Sequence, residues 1–219
     1  MHYRGIVSYF CFALAFWGYA PADAANAAKP AESVARNDAG AGMGPIVFAV
    51  RKLGKDGHWY ANFGYYAEGP SRVTYADGTK LVKYSPATGT TDVLLEDGTG
   101  GIRDPQVSYD GERILFSYRG GGCCNYHLYE IGADGSGLKQ LTEGLFDDIE
   151  PTYLPDGGIM FVSARCKRWV NCWLTQVAVL HRCDADGTNI RQVSGNIEHD
   201  NTPWPLADGR ILYQRWEYV

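Results

Sequence analysis

The stretch Asp104-Pro-Gln-Val-Ser-Tyr-Asp-Gly-Glu-Arg-Ile-Leu-Phe-Ser-Tyr-Arg119 decides the fold, because the chain writes it three times. It returns as Glu150-Pro-Thr-Tyr-Leu-Pro-Asp-Gly-Gly-Ile-Met-Phe-Val-Ser-Ala-Arg165 and as Thr202-Pro-Trp-Pro-Leu-Ala-Asp-Gly-Arg-Ile-Leu-Tyr-Gln-Arg-Trp216. Pro105, Pro151 and Pro203 stand 46 and 52 residues apart, close to the ~40–50 residues of one propeller blade. Each copy gives the same physical instructions. A Pro opens a strand at its first position, where a missing N–H is tolerated. A short apolar stretch leads to an Asp-Gly pair (110–111, 156–157, 208–209), a strong tight-hairpin signal. A second strand then starts at Ile114, Ile159 or Ile211, apolar enough in sequence to be buried on both faces.

A further repeated unit lies downstream. His127-Leu-Tyr-Glu-Ile precedes the turn at Asp134-Gly, and Val179-Leu-His-Arg-Cys precedes the turn at Asp186-Gly, 52 residues on. This reads as an outer hairpin, with a more degenerate copy over Leu81–Leu95 whose own inner strand is Ile46–Arg51. The pattern therefore predicts an all-β chain, a partial β-propeller of four-stranded blades. The blades run roughly 45–96, 101–143 and 147–195, with a fourth beginning near His199. About three and a half blades fall short of the ~4–8 that close a ring. The expectation is a propeller domain over 45–219 that is incomplete at its C-terminus, the chain being part of a longer protein. Closure by dimerisation is the alternative.

The first residues read as an export signal over 1–24: Arg4, an apolar run from Ile6 to Ala20, then Ala22-Asp23-Ala24 as a cleavage site. The run is short against the ~20 apolar residues of a spanning helix. Residues 25–44 are rich in Ala, Gly, Pro and Asn and read as a flexible leader. Together these predict a periplasmic or secreted protein with no transmembrane span after cleavage. A formal charge of −5 gives no electrostatic footprint for nucleic acid.

Few residues carry chemistry. Cys166 and Cys172 enclose a short loop that a disulfide could bridge in an oxidising compartment. His181 and Cys183 are two apart on an expected strand and share a face; with Cys166 they form a candidate metal set, and thiolate with imidazole suits zinc. The competing reading makes His181, beside Val179 and Leu180, a core histidine. Cys123 and Cys124 are neighbours in a Gly-rich loop, with an adjacent-residue disulfide among their options. Asp147 and Asp148 precede Pro151 as His199 and Asp200 precede Pro203, which makes them candidates for the mouth of a central channel; capping turns and facing water is the other reading. The sequence contains no Gly-x-Ser-x-Gly, phosphate loop or His-Glu-x-x-His.

The Pro-x-x-x-x-Asp-Gly-x-Ile-x-Phe and Asp-Gly-Ser/Thr-x-Ile/Leu-x-Gln-Leu/Val-Thr/Ser units over 101–216 resemble the repeats of TolB-type, WD40-like propellers. The runs from Arg103 to Gly111, Tyr153 to Cys166 and Asp208 to Tyr218 are similar, more narrowly, to the middle domain of the hydrazine synthase alpha subunit family. That resemblance implies an exported propeller that holds, or is joined to, c-type haem, with a metal-binding Cys at the position of Cys166. The chain departs from it in one respect: no Cys-x-x-Cys-His occurs in its 219 residues, so it cannot attach such a haem covalently, and any haem motif is expected beyond Val219. Three functions remain. The first is a scaffold for a haem- or metal-linked redox protein, partnered by another protein or the rest of a longer chain. The second is a TolB-like module that binds protein without a cofactor. The third is the propeller of a secreted serine peptidase.

Overall fold

The computed structural model describes residues 43–52, 75–171 and 175–217. The expected signal (1–24), nearly all of the expected leader (25–44) and Cys172 lie outside the described residues. Thirteen strands form antiparallel sheets in chain order. The first sheet holds β1 (Ile46–Arg51), β2 (Thr79–Ser85) and β3 (Thr90–Asp97). The second holds β4 (Gly101–Val107), β5 (Arg113–Arg119), β6 (His127–Gly132) and β7 (Lys139–Gln140). The third repeats it with β8 (Asp148–Tyr153), β9 (Ile159–Ser163), β10 (Val179–Cys183) and β11 (Arg191–Gln192), and β12 (Asp200–Pro205) pairs with β13 (Ile211–Arg215). This is a partial β-propeller, and among the described residues no sheet closes on itself. No helix among them is long and apolar enough to cross a membrane.

Burial explains the apolar second strands. On β5, Ile114 and Phe116 pack towards Leu81 and Ile102 of the first two blades, while Leu115 faces Leu128, Ile159, Phe161 and Cys183. On β9, Phe161 joins that second cluster, whereas Met160 and Val162 turn to Leu180 and Ile211. A strand sandwiched between neighbouring blades needs apolar residues on both faces, so its alternation disappears. On β13, Ile211 packs inward, while Leu212 and Tyr213 are exposed among the described residues.

The Asp-Gly turns form as expected. Gly111, Gly157 and Gly209 donate back to Ser108, Leu154 and Leu206 at 2.9, 3.0 and 3.0 Å. The aspartate of each turn accepts an N–H two residues on, from Glu112, Gly158 and Arg210. Gly187, in an outer turn at φ +88°, has a second constraint: any Cβ there would run into the Leu141 carbonyl of the preceding blade.

Two strand assignments differ from the sequence reading. β1 pairs with β2 and lies against β4, as β5 lies against β8 and β9 against β12. It therefore occupies the second place in its blade. The repeated prolines do not open their strands either. Pro105, Pro151 and Pro203 sit inside β4, β8 and β12, where the register slips between Arg103 and Gln106, Ile149 and Thr152, and Asn201 and Trp204. A bulge tolerates the missing N–H as well as a strand start does.

Phe161 is fully buried between the second and third blades. Phe161→Ala is expected to cost ~3–5 kcal/mol, read as a lower urea midpoint with the cooperativity of the transition retained.

Candidate functional site

The bulges of β4, β8 and β12 converge, and each places an unusual residue at the same point. Asp104, Glu150 and Thr202, each just before its Pro, adopt φ of 55°, 51° and 54°. Left-handed backbone is uncommon for non-glycine residues and an outlier for a β-branched one such as Thr202; a following Pro restricts the backbone further. Such strain costs ~1–3 kcal/mol per residue and persists only where the surroundings over-determine it.

Side chains of one blade holding the backbone of the next do that here. The Asp104 carboxylate accepts the Glu150 N–H at 3.2 Å, and the Glu150 carboxylate accepts the Thr202 N–H at 2.5 Å. Behind them Arg103, only 5% exposed, donates to Asp104 at 2.5 Å and to Glu150 at 3.3 Å. Burial works against the Arg103 charge, but the two carboxylates outweigh it and raise its pKa. Burial and the neighbouring Asp104 raise the Glu150 pKa, with Arg103 opposing them. A small cavity of about 40 Å³ opens beside this ladder, lined by Asp104, Gln106, Glu150, Pro151, Thr202 and Pro203. It offers hydrogen-bonding groups and an ion-paired wall. The signal for this site was in the sequence as the Asp, Glu or Thr before each repeated Pro, and was not singled out because pre-proline residues normally stay extended.

The four channel-mouth candidates are buried instead. Asp147 accepts from the Tyr75 hydroxyl at 2.6 Å and the Tyr126 N–H at 2.8 Å. Burial pushes its pKa up to about 6, against both hydrogen bonds. Asp148 opens β8 opposite Ser163 and accepts from Ser163 at 2.6 Å and from Arg165 at 2.7 and 3.1 Å. Burial raises its pKa, but the hydrogen bonds from His127, Arg165 and Ser163 together leave it below the ordinary carboxylate value. His199 accepts the Ala178 N–H on Nδ1 at 3.1 Å and stacks on Trp216, and burial lowers its pKa to about 4. Asp200 takes Arg215 at 2.9 and 3.2 Å. Asp148–Arg165 and Asp200–Arg215 thus repeat one clasp, between the start of a blade's first strand and the end of its second. Its sign in the sequence is an arginine at or next to the end of each of these copies, Arg165 and Arg215.

Cys166, His181 and Cys183 are not brought into one group. Cys166 ends a 3₁₀ turn after β9, donates its thiol to the Val177 carbonyl at 3.1 Å and packs with Val170, Val177 and Val179. His181 and Cys183 do share a face of β10, as expected. However, the His181 Nδ1 is taken by the Val179 carbonyl at 3.0 Å, its ring lies 5.9 Å from Phe161, and burial lowers its pKa. Cys183 is enclosed by Leu115, Leu128 and Phe161, and burial pushes its thiol up to about 12. Among the described residues no group of three or more His, Cys, Asp or Glu side chains could hold a metal ion. Cys166 and Cys183 lie in different apolar clusters, so the structure does not bring the three candidates together. The Cys166–Cys172 pairing involves a residue outside the described ones. With no Cys-x-x-Cys-His in the sequence, these residues do not fit covalent haem.

Comparison with known proteins follows this geometry. No family model matches the chain. Over 117 residues it is 28% identical to the hydrazine synthase subunit alpha of Kuenenia stuttgartiensis, a match covering 52% of this chain and 13% of that subunit. The chain is a homologue of that subunit over this stretch. The solved Kuenenia stuttgartiensis hydrazine synthase superposes with a TM-score of 0.61 at 19% identity, covering 78% of this chain and 27% of that one, and shows the fold. TolB from Acinetobacter baumannii gives a TM-score of 0.48 at 19% identity over 62% of this chain and 32% of its own.

Two predictions follow from the ladder and from Asp147. Glu150→Ala leaves the Thr202 N–H without its acceptor and is expected to cost ~1–3 kcal/mol in chemical denaturation. Glu150→Gln, which keeps an acceptor oxygen, is expected to lose distinctly less. Asp147 is charged in folded and unfolded chains alike above about 6, and its burial then opposes folding. Between about 6 and the ordinary 3.8 the folded chain alone holds the proton, so this group adds stability as pH falls through that window. Asp147→Asn is expected to remove this rise, so its melting midpoint gains most on wild type near neutral pH and the difference shrinks at acid pH.

Proposed function

We propose that this propeller is an exported scaffold within a redox protein related to hydrazine synthase, supplying position and a docking surface while another polypeptide segment carries the cofactor. The homology to the alpha subunit carries this reading. The site agrees with it: charges engaged in blade-to-blade bonds beside a cavity lined by hydrogen-bonding groups. The match covers a small part of that subunit, so the hydrazine-forming reaction itself is not carried over. The proposed domain is 45–219, preceded by a cleaved signal and a leader, and the proposed compartment is periplasmic or extracellular. A second reading, a cofactor-free module that grips a protein or peptide, is favoured by the open cavity where β4, β8 and β12 meet.

The test is the native protein, purified through an antibody to the propeller and examined by visible absorption, haem staining and intact mass. Co-purification of haem or a redox metal in fixed ratio to the propeller is the expected result. A purified species with neither cofactor, bound to a partner that also lacks one, would replace the redox scaffold by the binding module.

A further inference from the structure

We propose that Cys123 and Cys124 form a reversible dithiol–disulfide centre on the β5–β6 loop, exchanging with a low-molecular-weight or protein disulfide. Both residues are exposed. The other described cysteines are not comparable: Cys166 is half-buried with its thiol on the Val177 carbonyl, and Cys183 is sealed in the core between two blades. Nothing in the scaffold reading uses the pair, and the inference does not depend on that reading.

The loop holds its flanks and leaves the pair at the turn. Gly121 donates to Asp97 at 2.8 Å, Cys123 donates to the Gly120 carbonyl at 2.9 Å, and Gly122 takes φ +85°. On the other side Asn125 is buried, and Tyr126 is anchored through its N–H to Asp147 at 2.8 Å. Three successive glycines before the pair supply the backbone freedom that an eight-membered ring demands.

Chain geometry sets the character of the bond. Adjacent Cα atoms are ~3.8 Å apart, short of the ~4.4–6.8 Å that disulfides usually span. The ring is therefore strained, and strained, exposed disulfides are the easily reduced, labile ones. So short a loop also removes little unfolded-state entropy, which makes the bond a poor structural staple. Adjacency nonetheless gives the second thiol a permanent advantage over any external one.

The chemistry balances without further reagents. The Cys123 thiolate attacks one sulfur of the incoming disulfide, forming a mixed disulfide and releasing one thiolate. The Cys124 thiolate then attacks the Cys123 sulfur, forming the Sγ–Sγ bond and releasing the second. Two electrons pass to the incoming disulfide, and the two thiol protons go to its products. Ring closure moves the Cys123 carbonyl, which Arg119 holds at 3.4 Å. Arg119 also pairs with Asp77 at 2.8 Å and lies over the rings of Tyr75 and Tyr126 at 5.5 and 6.0 Å. The redox state of the pair is thereby felt by the segment leading into β2.

The experiment equilibrates the full chain with mixtures of reduced and oxidised glutathione, quenches with acid, alkylates and digests with trypsin. The peptide from Gly120 to Lys139 contains both cysteines and no other. Under oxidising mixtures it is expected unalkylated and lighter by two hydrogens, and doubly alkylated again after dithiothreitol. Cys124→Ser should instead leave Cys123 carrying one glutathione. A peptide that stays doubly alkylated in every mixture, carries two glutathiones, or is cross-linked to a peptide bearing Cys166, Cys172 or Cys183 would overturn the proposal. The wild-type measurement decides the matter even if the variant fails to fold.

Discussion

The hydrogen bond that a pre-proline carboxylate of one blade accepts from the backbone N–H of the next is the contact on which the centre of this molecule depends. Apolar packing between propeller blades is non-directional: it resists separation but allows sliding. Asp104 to Glu150 and Glu150 to Thr202 are directional, and they fix the rotation of one blade against another. They also hold Glu150 and Thr202 in a backbone conformation that neither would choose in isolation. Arg103 lets two carboxylates approach one another in a buried setting, and without it their mutual repulsion would oppose the arrangement.

A second layer of buried charge works at the ends of the strands. Asp148 with Arg165 and Asp200 with Arg215 tie the start of a blade's first strand to the end of its second. Buried ion pairs of this kind stabilise weakly in net terms, since desolvation offsets much of the attraction, but either partner left alone is costly. Their value here is in register: they penalise any slip of the first hairpin. A set of acids committed to such contacts is poorly suited to proton transfer. That supports the proposed scaffold role, with the loop carrying Cys123 and Cys124 as an exposed chemical feature.

The fold was legible because a propeller is built from local instructions. The Asp-Gly turns, the two-sided apolar strands and the spacing of Pro105, Pro151 and Pro203 each act within a few residues, and repetition multiplied their signal. The errors arose where one local rule had two solutions. A Pro can open a strand or sit in a bulge, and the sequence does not distinguish them; the pairing of β4 with β5 does. Likewise His181 and Cys183 share a face, as strand periodicity requires. What that face meets belongs to another blade, which supplies Leu115 and Leu128 rather than a third ligand.

The sequence by itself therefore determined the blade, its turns and its approximate boundaries, because these depend on neighbours in the chain. Only the tertiary structure decided that Asp147, Asp148, His199 and Asp200 are buried, that the zinc set is dispersed, and that Asp104, Glu150 and Thr202 meet at one point. The meeting of Asp104, Glu150 and Thr202 joins residues 46 and 52 apart in the chain, and the other four are held by partners 15 to 72 residues away, brought close by strand pairing and by the stacking of one blade on the next.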